Sequence, residues 1–407
     1  MIGNGLQGTL IGVRGDIEGF STFDMSMITS AYFIGFLGGS RMAPEFIRRV
    51  GHVRVFAALA SFVSAALILY PVAAHPWAWI LLRMLIGFCL SGVYVTAESW
   101  LNNATSNEQR GQALSAYMIV QMSGIVTAQL LLNVADPAGY LLFIIPSVLV
   151  SISFAPILLS IAPTPAFDNT KNMSLRELYT VSPLGFVGMM LLGGVFSAQF
   201  GMSAVYATQV GMSVGQISVF VSAIFVGAMI LQYPIGWVSD RMDRRLLIMV
   251  VAASASLASF GGMVTSSFEA LVVAAFVMGG MANPLYALLI AYTNDYLQPE
   301  DMAAASGGLL FINGLGAIAG PIFVGWAMTT FGPSSFWAVI LVLMAAMALY
   351  AAYRMTQRAS AYADEADDYD AVSYAPIGPG ASPVFVEAAQ EYYVEVAEEM
   401  SDEEPQG

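Results

Sequence analysis

Five residues between positions 83 and 98 could do chemistry from one face of a helix. Arg83, Gly87, Ser91, Tyr94 and Glu98 follow one another at intervals of 4, 4, 3 and 4 residues, which places them on one side of an α-helix. This face carries the two charged side chains of its segment. Such an arginine can bind an anionic group or pair with a titrating carboxylate, and such a glutamate can exchange a proton.

The segments around this face predict a helical membrane protein. Apolar residues make up 57% of the chain and charged residues 10%, and the runs 178–239 and 302–353 contain no Asp, Glu, Lys, Arg or His. Each run far exceeds the roughly 20 residues that span a bilayer. A helix on the surface of a soluble protein would carry polar residues on its outer face. We therefore expect an all-α polytopic membrane protein.

Two interpretations stay open for each charged residue on this face. Arg83 lies about 9 Å into its helix, where it can line a cavity or extend its stem to the membrane interface. An arginine at mid-depth costs about 2.5–3.5 kcal/mol on insertion scales, so an arginine there without a compensating partner or function is rare. Glu98 can respond to protons, or it can pair with Arg48, Arg49 or Arg110 near the end of its helix.

The apolar segments form six spans, a polar linker and six further spans. The first span, Met1–Val13, covers roughly 20 Å of helix against a hydrocarbon core of about 30 Å. It is either a short helix or one whose start lies upstream. We expect an N-terminal six-helix bundle at 1–162, a cytoplasmic linker at 163–181, a C-terminal six-helix bundle at 182–356 and an acidic, disordered tail at 357–407. The other spans are expected at about 25–47, 53–74, 77–101, 109–134, 139–162, 182–207, 213–239, 245–266, 269–294, 303–330 and 334–356.

The two bundles repeat one another at one constant offset, which is the separation of Gln7 from Gln199 along the chain. We call this separation the repeat offset. Other residues that recur at it include the pairs Phe33 and Phe225, Gly35 and Gly227, Arg49 and Arg241, Tyr94 and Tyr286, and Asn102 and Asn294. An offset that continues without a gap predicts two bundles of the same topology. Such bundles are related by a pseudo-two-fold axis along the membrane normal.

A charge cluster that follows the second span of the C-terminal bundle carries a family motif. Gly236, Asp240, Arg241, Arg244 and Arg245 fit the pattern Gly-x-x-x-Asp-Arg-x-Gly-Arg-Arg/Lys, with Asp243 in place of the second Gly. On these residues the sequence resembles the major facilitator superfamily over residues 1 to about 356. The run Glu98-Ser99-Trp100-Leu101-Asn102, followed by Arg110-Gly111, resembles the YcaD-type bacterial members.

The resemblance implies a fold and a mechanism. Two six-helix bundles rock around a central cavity lined by spans 1, 4, 7 and 10, and the loop motif latches the cytoplasmic side in one state. In the first bundle Arg49, Gly51 and Arg54 remain, but Pro44 and Arg48 replace the Gly and Asp of the motif. We therefore expect the latch in the second bundle and the coupling chemistry in the first.

The repeat and the resemblance together give the candidate site residues. The candidates for a substrate-binding cavity are Gln7, Arg14, Arg83, Tyr94, Gln121, Gln199, Tyr206, Asn283, Tyr286 and Asn313. The candidates for gating or coupling are Arg48, Arg49, Arg54, Glu98, Arg110, Gly236, Asp240, Arg241, Arg244 and Arg245. A plainer interpretation stays open for both sets, because amides inside spans also bond neighbouring helices and boundary arginines also fix topology.

Basic residues predict the orientation in the membrane. Only Arg14 lies in a loop at one end of the spans, whereas twelve basic residues lie at the other end. That end is therefore expected in the cytoplasm together with both termini, in the inner (plasma) membrane of a bacterium. The twelve are Arg41, Arg48, Arg49, Arg54, Arg110, Lys171, Arg176, Arg241, Arg244, Arg245, Arg354 and Arg358.

The net charge of −14 belongs to the tail rather than to the body. Thirteen of the 28 acidic residues follow Arg358 with no Lys or Arg among them, which leaves 15 acidic and 14 basic residues in the body. This pattern does not favour a nucleic-acid partner. Cys89, His52 and His75 lack metal-ligand spacing, so no metal or cofactor is expected. The expected partners are a small-molecule substrate, the lipid bilayer and, for a coupled transporter, H+; we expect a monomer.

The expected function is secondary active transport of a small solute by alternating access. Proton coupling is a hypothesis that depends on Arg83 and Glu98. The alternative is a transporter-like membrane sensor or scaffold that signals through the acidic tail, and deleting 359–407 separates the two because only the sensor would lose its output. A passive channel would lack counterflow of labelled substrate. An enzyme is not expected, since no nucleophile–base set is present.

Overall fold

The computed structural model describes residues 1–104, 107–153, 155 and 173–357, together with Val386, Ala388, Ala389 and Tyr392. The side chains of 102–104, 107–112, 114, 115, 299, 300 and 303 are not described. The described residues are almost entirely helical and contain no strand. The first half of the chain forms α1 (Ile2–Ile17), α2 (Thr22–Val50), α3 (His52–Leu69), α4 (Pro76–Ala104), α5 (Asn107–Leu131) and α6 (Leu141–Ser153).

The second half begins with a short helix, α7 (Leu175–Val181), which lies within the expected linker. The helices that follow are α8 (Pro183–Ser197), a π-helix (Ala198–Met202) that continues into α9 (Ser203–Gln209), α10 (Val214–Ser239), α11 (Arg244–Val264), α12 (Phe268–Ala282), α13 (Leu285–Asn294), α14 (Pro299–Phe331) and α15 (Ser335–Gln357). We call residues 1–153 the N-terminal half and 183–357 the C-terminal half.

Eight helical segments among the described residues are long and apolar enough to cross a membrane. Together with the absence of strands in these residues, they confirm the expected all-α membrane fold. The third span ends at Leu69 rather than near 74, because Pro71 has no backbone N–H with which to continue the helical hydrogen bonds. Most of the linker and the end of the sixth span fall outside the described residues.

The turn that opens α2 has the same local structure as the turn that opens α10. Gly19 and Gly211 both adopt positive φ, at 74° and 78°, which a glycine adopts without steric cost. Two residues later Ser21 and Ser213 each accept a hydrogen bond from the backbone N–H three residues on and complete a capping box. Both pairs are separated by the repeat offset, so the sequence repeat is also a structural repeat.

Glycines set the distance between the second and fourth spans of each half. A Cβ added to Gly35 would overlap the carbonyl oxygen of Met84, and one added to Gly227 would overlap that of Phe276. Small residues let two membrane helices approach until their backbones touch. Met84 and Phe276 are themselves related by the repeat offset, so α2 with α4 and α10 with α12 form the same helix pair.

The two halves pack against each other through equivalent helices. α2 contacts α14, α10 contacts α5, and α1 contacts α9. We call the end of the bundle that carries Arg48, Arg49, Arg241, Arg244 and Arg245 the arginine side, and the other end the opposite side. The contacts at Thr22, Ser26 and Gln209 are at the opposite side, where α1 ends and α2 begins.

Four residues of the acidic tail are described. Val386, Ala388, Ala389 and Tyr392 are helical, and the first three are no more than 2% exposed. These three side chains are therefore covered by protein. The rest of the segment expected to be disordered lies outside the described residues.

The glycine contact predicts a position-specific loss of stability. Gly35→Ala and Gly227→Ala should each destabilise the purified protein by about 1–3 kcal/mol, because the added methyl forces two helix backbones apart. The matched control is Gly261→Ala on α11, where an added Cβ meets no atom within 4 Å. Its melting temperature in detergent should equal or exceed that of the parent. Equal melting of all three variants would show that the backbones are not packed at this distance.

Candidate functional site

A cavity lies between the two halves near the middle of the bundle. Its empty space, including the open mouth, amounts to about 1030 Å³. Six of its polar lining residues come from spans of both halves: Asn4, Tyr94, Gln121, Gln199, Asn283 and Asn313. None of the lining residues in the described part of the chain is Asp, Glu, Lys, Arg or His.

Five of the ten candidate cavity residues line this space. They are Tyr94, Gln121, Gln199, Asn283 and Asn313, and each is no more than 6% exposed. Gln121 and Asn313 are related by the repeat offset and face the cavity from α5 and α14. The structure thus brings together candidates from four different helices and from the break after α12.

Three candidates lie away from the cavity. Arg14 pairs with Glu18 at 2.5 Å and donates to the backbone carbonyl groups of Pro137 and Ala138, which ties α1 to the loop before α6. Tyr206 stacks on Phe336 with ring centroids 5.0 Å apart. Tyr286, which is fully buried, packs on Phe196 instead of lining the space.

Arg83 and Gln7 lie behind the cavity wall and connect to it through hydrogen bonds. The Nη1 of Arg83 donates to Oε1 of Gln7 at 2.6 Å, and Nε2 of Gln7 donates to Oδ1 of Asn4 at 2.9 Å. The Nδ2 of Asn4 then donates to the hydroxyl oxygen of Tyr94 at 2.9 Å. We call these four residues the polar relay. The relay begins at the Arg83 guanidinium, which is 3% exposed, and ends at Asn4 and Tyr94, which line the cavity.

Aromatic residues supply much of the remaining cavity wall, and the candidate set did not include them. They are Tyr32, Phe33 and Phe36 of α2, Phe196 and Phe200 of the seventh span, and Phe225 of α10. The contribution of the α2 and α10 residues follows from the packing of α2 against α14 and of α5 against α10, which exposes spans 2, 5, 8 and 11 to the cavity. Phe33 and Phe225 recur at the repeat offset, and this recurrence is the sequence signal that could have identified these two wall residues.

Two irregular helices position the polar residues of the C-terminal half. Gln199 lies in the π-helix Ala198–Met202, a rare conformation that is frequent at functional sites. Asn283 lies between α12 and α13, where the following Pro284 interrupts the helical hydrogen bonds. In the N-terminal half the equivalent helices α1 and α4 are continuous.

The loop motif of the C-terminal half contains a buried ion pair. The Nη1 of Arg244 bonds to Oδ1 of Asp295 at the end of α13, and these side chains are 3% and 6% exposed. Arg244 also donates to Oγ of Ser239 at 3.3 Å and lies 3.7 Å from Asp240. Asp295 was not among the candidates because it lies outside the motif in the sequence. The pair joins the loop after α10 to the end of the tenth span.

The equivalent cluster of the N-terminal half is built from different residues. His52 stands where Arg244 stands in the repeat, and its Nε2 lies 3.1 Å from Oγ of Ser99 on α4. Arg48 and Arg49 both pair with Glu45, at 2.5 and 2.6 Å on the surface, and Arg54 is exposed. The side chain of Arg110 lies outside the described residues.

The other motif residues of the C-terminal half make local contacts. Arg241 is exposed and lies over the ring of Trp237, with 4.1 Å from its guanidinium carbon to the ring centroid. Arg245 bonds to Asp243 at 2.8 Å. Gly236 is buried in the last turn of α10, where its carbonyl accepts from the N–H of Asp240.

Glu98 is buried within the N-terminal half, 2% exposed, and accepts a hydrogen bond of 2.5 Å from the Tyr117 hydroxyl on α5. Its position on α4 is one turn further toward the arginine side than Tyr94, which lines the cavity. A carboxylate in such a place can bind and release a proton during transport. Within the described residues, no group of three His, Cys, Asp or Glu side chains could hold a metal ion.

Two repeated helical halves around a shared central cavity define a membrane transporter. The family model described as Major Facilitator Superfamily matches residues 1–215 and 184–368. The chain belongs to this family. It is similar to the uncharacterized MFS-type transporter YcaD of Salmonella arizonae, with 25% identity over 329 residues, 78% of this chain and 83% of the relative. YcaD of Escherichia coli O45:K1 is 26% identical over 328 residues, which cover 79% of this chain and 84% of the relative.

Solved structures show the same fold. The nucleoside transporter NupG superposes with a TM-score of 0.69 at 15% identity, covering 88% of this chain and 97% of NupG. A bacterial homolog of the human lysosomal transporter Spinster, in an inward-facing and unoccupied conformation, superposes with a TM-score of 0.64 at 16% identity, covering 97% and 94%. The expected membership of this superfamily and its likeness to YcaD are confirmed.

The buried pair Arg244–Asp295 predicts a stability test. Asp295→Asn should destabilise the protein by about 3 kcal/mol, because it removes the nearer and more buried of two carboxylates that pair with the buried guanidinium and leaves Asp240 at 3.7 Å. Arg241→Gln, on an exposed arginine three residues earlier in the same motif, should change stability by less than about 1 kcal/mol. Thermal melts of both variants measure the difference. Similar melting temperatures would mean that the pair is solvated rather than buried.

Proposed function

We propose that the protein moves a small solute across the membrane by secondary active transport with alternating access. The observation that carries this proposal is the cavity, which lies between the two halves and is lined by residues of both. A site shared by two halves changes its accessible side when the halves rock against each other.

The contacts between the halves support a conformation that is closed on the opposite side. There the Nε2 of Gln209 donates to Oγ1 of Thr22, and Oγ of Ser218 donates to the backbone carbonyl of Gln129 at 2.5 Å. Ser26 also meets Gly325, where no room remains for a side chain. For the site to open toward this side, these contacts have to break.

The arginine side is proposed to face the cytoplasm of a bacterium, with the chain in the inner membrane as a monomer and both termini inside. The distribution of basic residues supports this orientation. On this side the Arg244–Asp295 pair holds the motif loop against the tenth span. It would act as part of the latch that keeps the C-terminal half rigid while the halves rock.

Proton coupling is proposed to use Glu98. It is a buried carboxylate close to the cavity wall, and its protonation would change the bond with Tyr117. Arg83 contributes a buried positive charge on the same helix. Proton uptake at one side and release at the other would then bias the direction of solute movement.

The closed contacts provide a direct test of rocking. Cysteines at Thr22 and Gln209, bridged by a short bifunctional thiol reagent, should stop solute flux through proteoliposomes because the halves can no longer separate there. Flux is measured by mass spectrometry of solutes released from vesicles loaded with a metabolite extract. The native Cys89 is buried and does not compete for the reagent.

A bridge within one half is the matched control. Ser64 and Ser151 lie on α3 and α6 of the N-terminal half, both half-buried, with their hydroxyl oxygens 2.9 Å apart. Cysteines at these two positions should cross-link equally well and leave flux intact. Continued flux through the fully bridged Thr22–Gln209 protein would contradict alternating access.

The coupling proposal predicts a loss of proton dependence. In vesicles with an imposed pH gradient, Glu98→Gln should abolish uphill accumulation of the solute while counterflow of labelled solute continues, because the neutral amide cannot exchange a proton. A protonophore should have the same effect on the parent protein. If accumulation is insensitive to both the protonophore and the substitution, the coupling does not involve protons at this residue.

A further inference from the structure

The hydrogen-bonding directions of the cavity walls restrict the kind of solute that can bind. Amide orientations follow from the network here, because some partners can only donate and others can only accept. The guanidinium of Arg83 only donates, and backbone carbonyl groups only accept. The relay that ends at Tyr94 and the two asparagines of the opposite wall therefore have determined polarities.

The polar relay makes the N-terminal wall a donor. Since Arg83 can only donate, the atom of Gln7 that faces it is the oxygen, so the Gln7 amide nitrogen faces Asn4. The amide nitrogen of Asn4 must then face Tyr94, whose hydroxyl oxygen accepts. The hydroxyl hydrogen of Tyr94 is left to donate, and no described residue accepts it. A solute at this wall meets a donor.

The C-terminal wall has the opposite polarity. The Asn283 amide nitrogen donates to the backbone carbonyl of Gly279 at 2.8 Å and to Oε1 of Gln199 at 3.2 Å. The Asn313 amide nitrogen donates to the backbone carbonyl of Met189 at 3.1 Å. Neither Oδ1 atom accepts a bond from the described residues, so both asparagines offer acceptors to the cavity they line.

Six further aromatic rings line the cavity, together with aliphatic side chains such as Leu37 and Ile125. Tyr32, Phe33 and Phe36 come from one half, and Phe196, Phe200 and Phe225 come from the other. Rings of this kind bind planar solutes by stacking and edge contacts. No lining side chain among the described residues carries a charge that would neutralise an ionic solute, and a buried ion without a partner is costly. Met1, which carries the α-amino group of the chain, also lines the cavity, so an anionic probe belongs in the test.

We infer that the cavity binds an uncharged, planar heteroaromatic solute whose acceptor meets Tyr94 and whose N–H or O–H donors meet Asn283 and Asn313. A ring that carries a lactam or amide group has this chemistry. The inference rests on the proposed transport function and names the substrate class of the same site. Arg83 acts as a positioning residue, because it fixes the direction of the relay without touching the solute.

A matched set of two-ring probes tests the solute class. The lactam carbostyril offers both a donor and an acceptor, its N-methyl derivative keeps only the acceptor, naphthoate is an anion, and N-methylquinolinium is a cation. Apparent Kd values come from the thermal stabilisation of the purified protein over a concentration series. Carbostyril should bind, and N-methylation should weaken binding about tenfold, as expected for one lost hydrogen bond. The two ions should bind more weakly than carbostyril.

Variants test the polarity of the relay. Tyr94→Phe should weaken carbostyril binding about tenfold, whereas Tyr286→Phe, its fully buried repeat equivalent away from the cavity, should leave it unchanged. Arg83→Gln allows the relay to reverse, so the affinity ratio between carbostyril and indole, which donates an N–H but has no carbonyl acceptor, should fall. Arg83→Lys, which can only donate, should restore the ratio. If the Arg83→Gln variant does not fold, the comparison of carbostyril binding by Tyr94→Phe and Tyr286→Phe tests the inference instead.

Three results would overturn the inference: no probe binds, an ion binds as tightly as the lactam, or N-methylation has no effect. The bridging test at Thr22 and Gln209 is independent of these probes. If bridging stops flux and the probes fail, the transporter stands and the solute class is wrong. If bridging leaves flux intact, alternating access is wrong whichever probe binds.

Discussion

The contact of glycine with helix backbone is the constraint on which this structure depends. Gly35 against the Met84 carbonyl and Gly227 against the Phe276 carbonyl bring the second and fourth spans of each half together at backbone distance. Lipid offers no hydrophobic drive for helices to associate, so close packing and hydrogen bonds have to hold them. The tight α2–α4 and α10–α12 pairs give each half a fixed shape. The cavity is the space that remains between the α2–α14 and α5–α10 contacts of the two halves.

The fold could be predicted from the sequence because its signals are long and repeated. Charge-free runs and the repeat offset predicted the spans, and the same offset reappears in Gly19 and Gly211 and in the caps at Ser21 and Ser213. The cavity could be predicted only in part. Helical spacing places Arg83 and Tyr94 on one face, but it does not show that Gln7 and Asn4 stand between Arg83 and the open space.

Long-range contacts explain the residues that sequence reasoning placed wrongly or missed. Arg14 finds a carboxylate one turn later and two carbonyl groups in a loop more than 120 positions away. Asp295 is the partner of Arg244 across 51 positions, and no local pattern connects the two. The residue of the first half that corresponds to Tyr206 is Arg14, which also lies away from the cavity. Tyr206 packs in an aromatic cluster with Phe336 and Trp337. These pairings depend on which helices are neighbours.

The irregular helices of the C-terminal half have a geometric consequence. A π-turn at Ala198–Met202 and the break at Asn283 and Pro284 interrupt the regular bonding of the seventh and tenth spans, whereas α1 and α4 continue without interruption. Each interruption changes the direction in which the neighbouring side chains point. Two halves that share one repeat therefore present different surfaces to a solute: regular helices supply the residues on one side, and locally rewound helices supply Gln199 and Asn283 on the other.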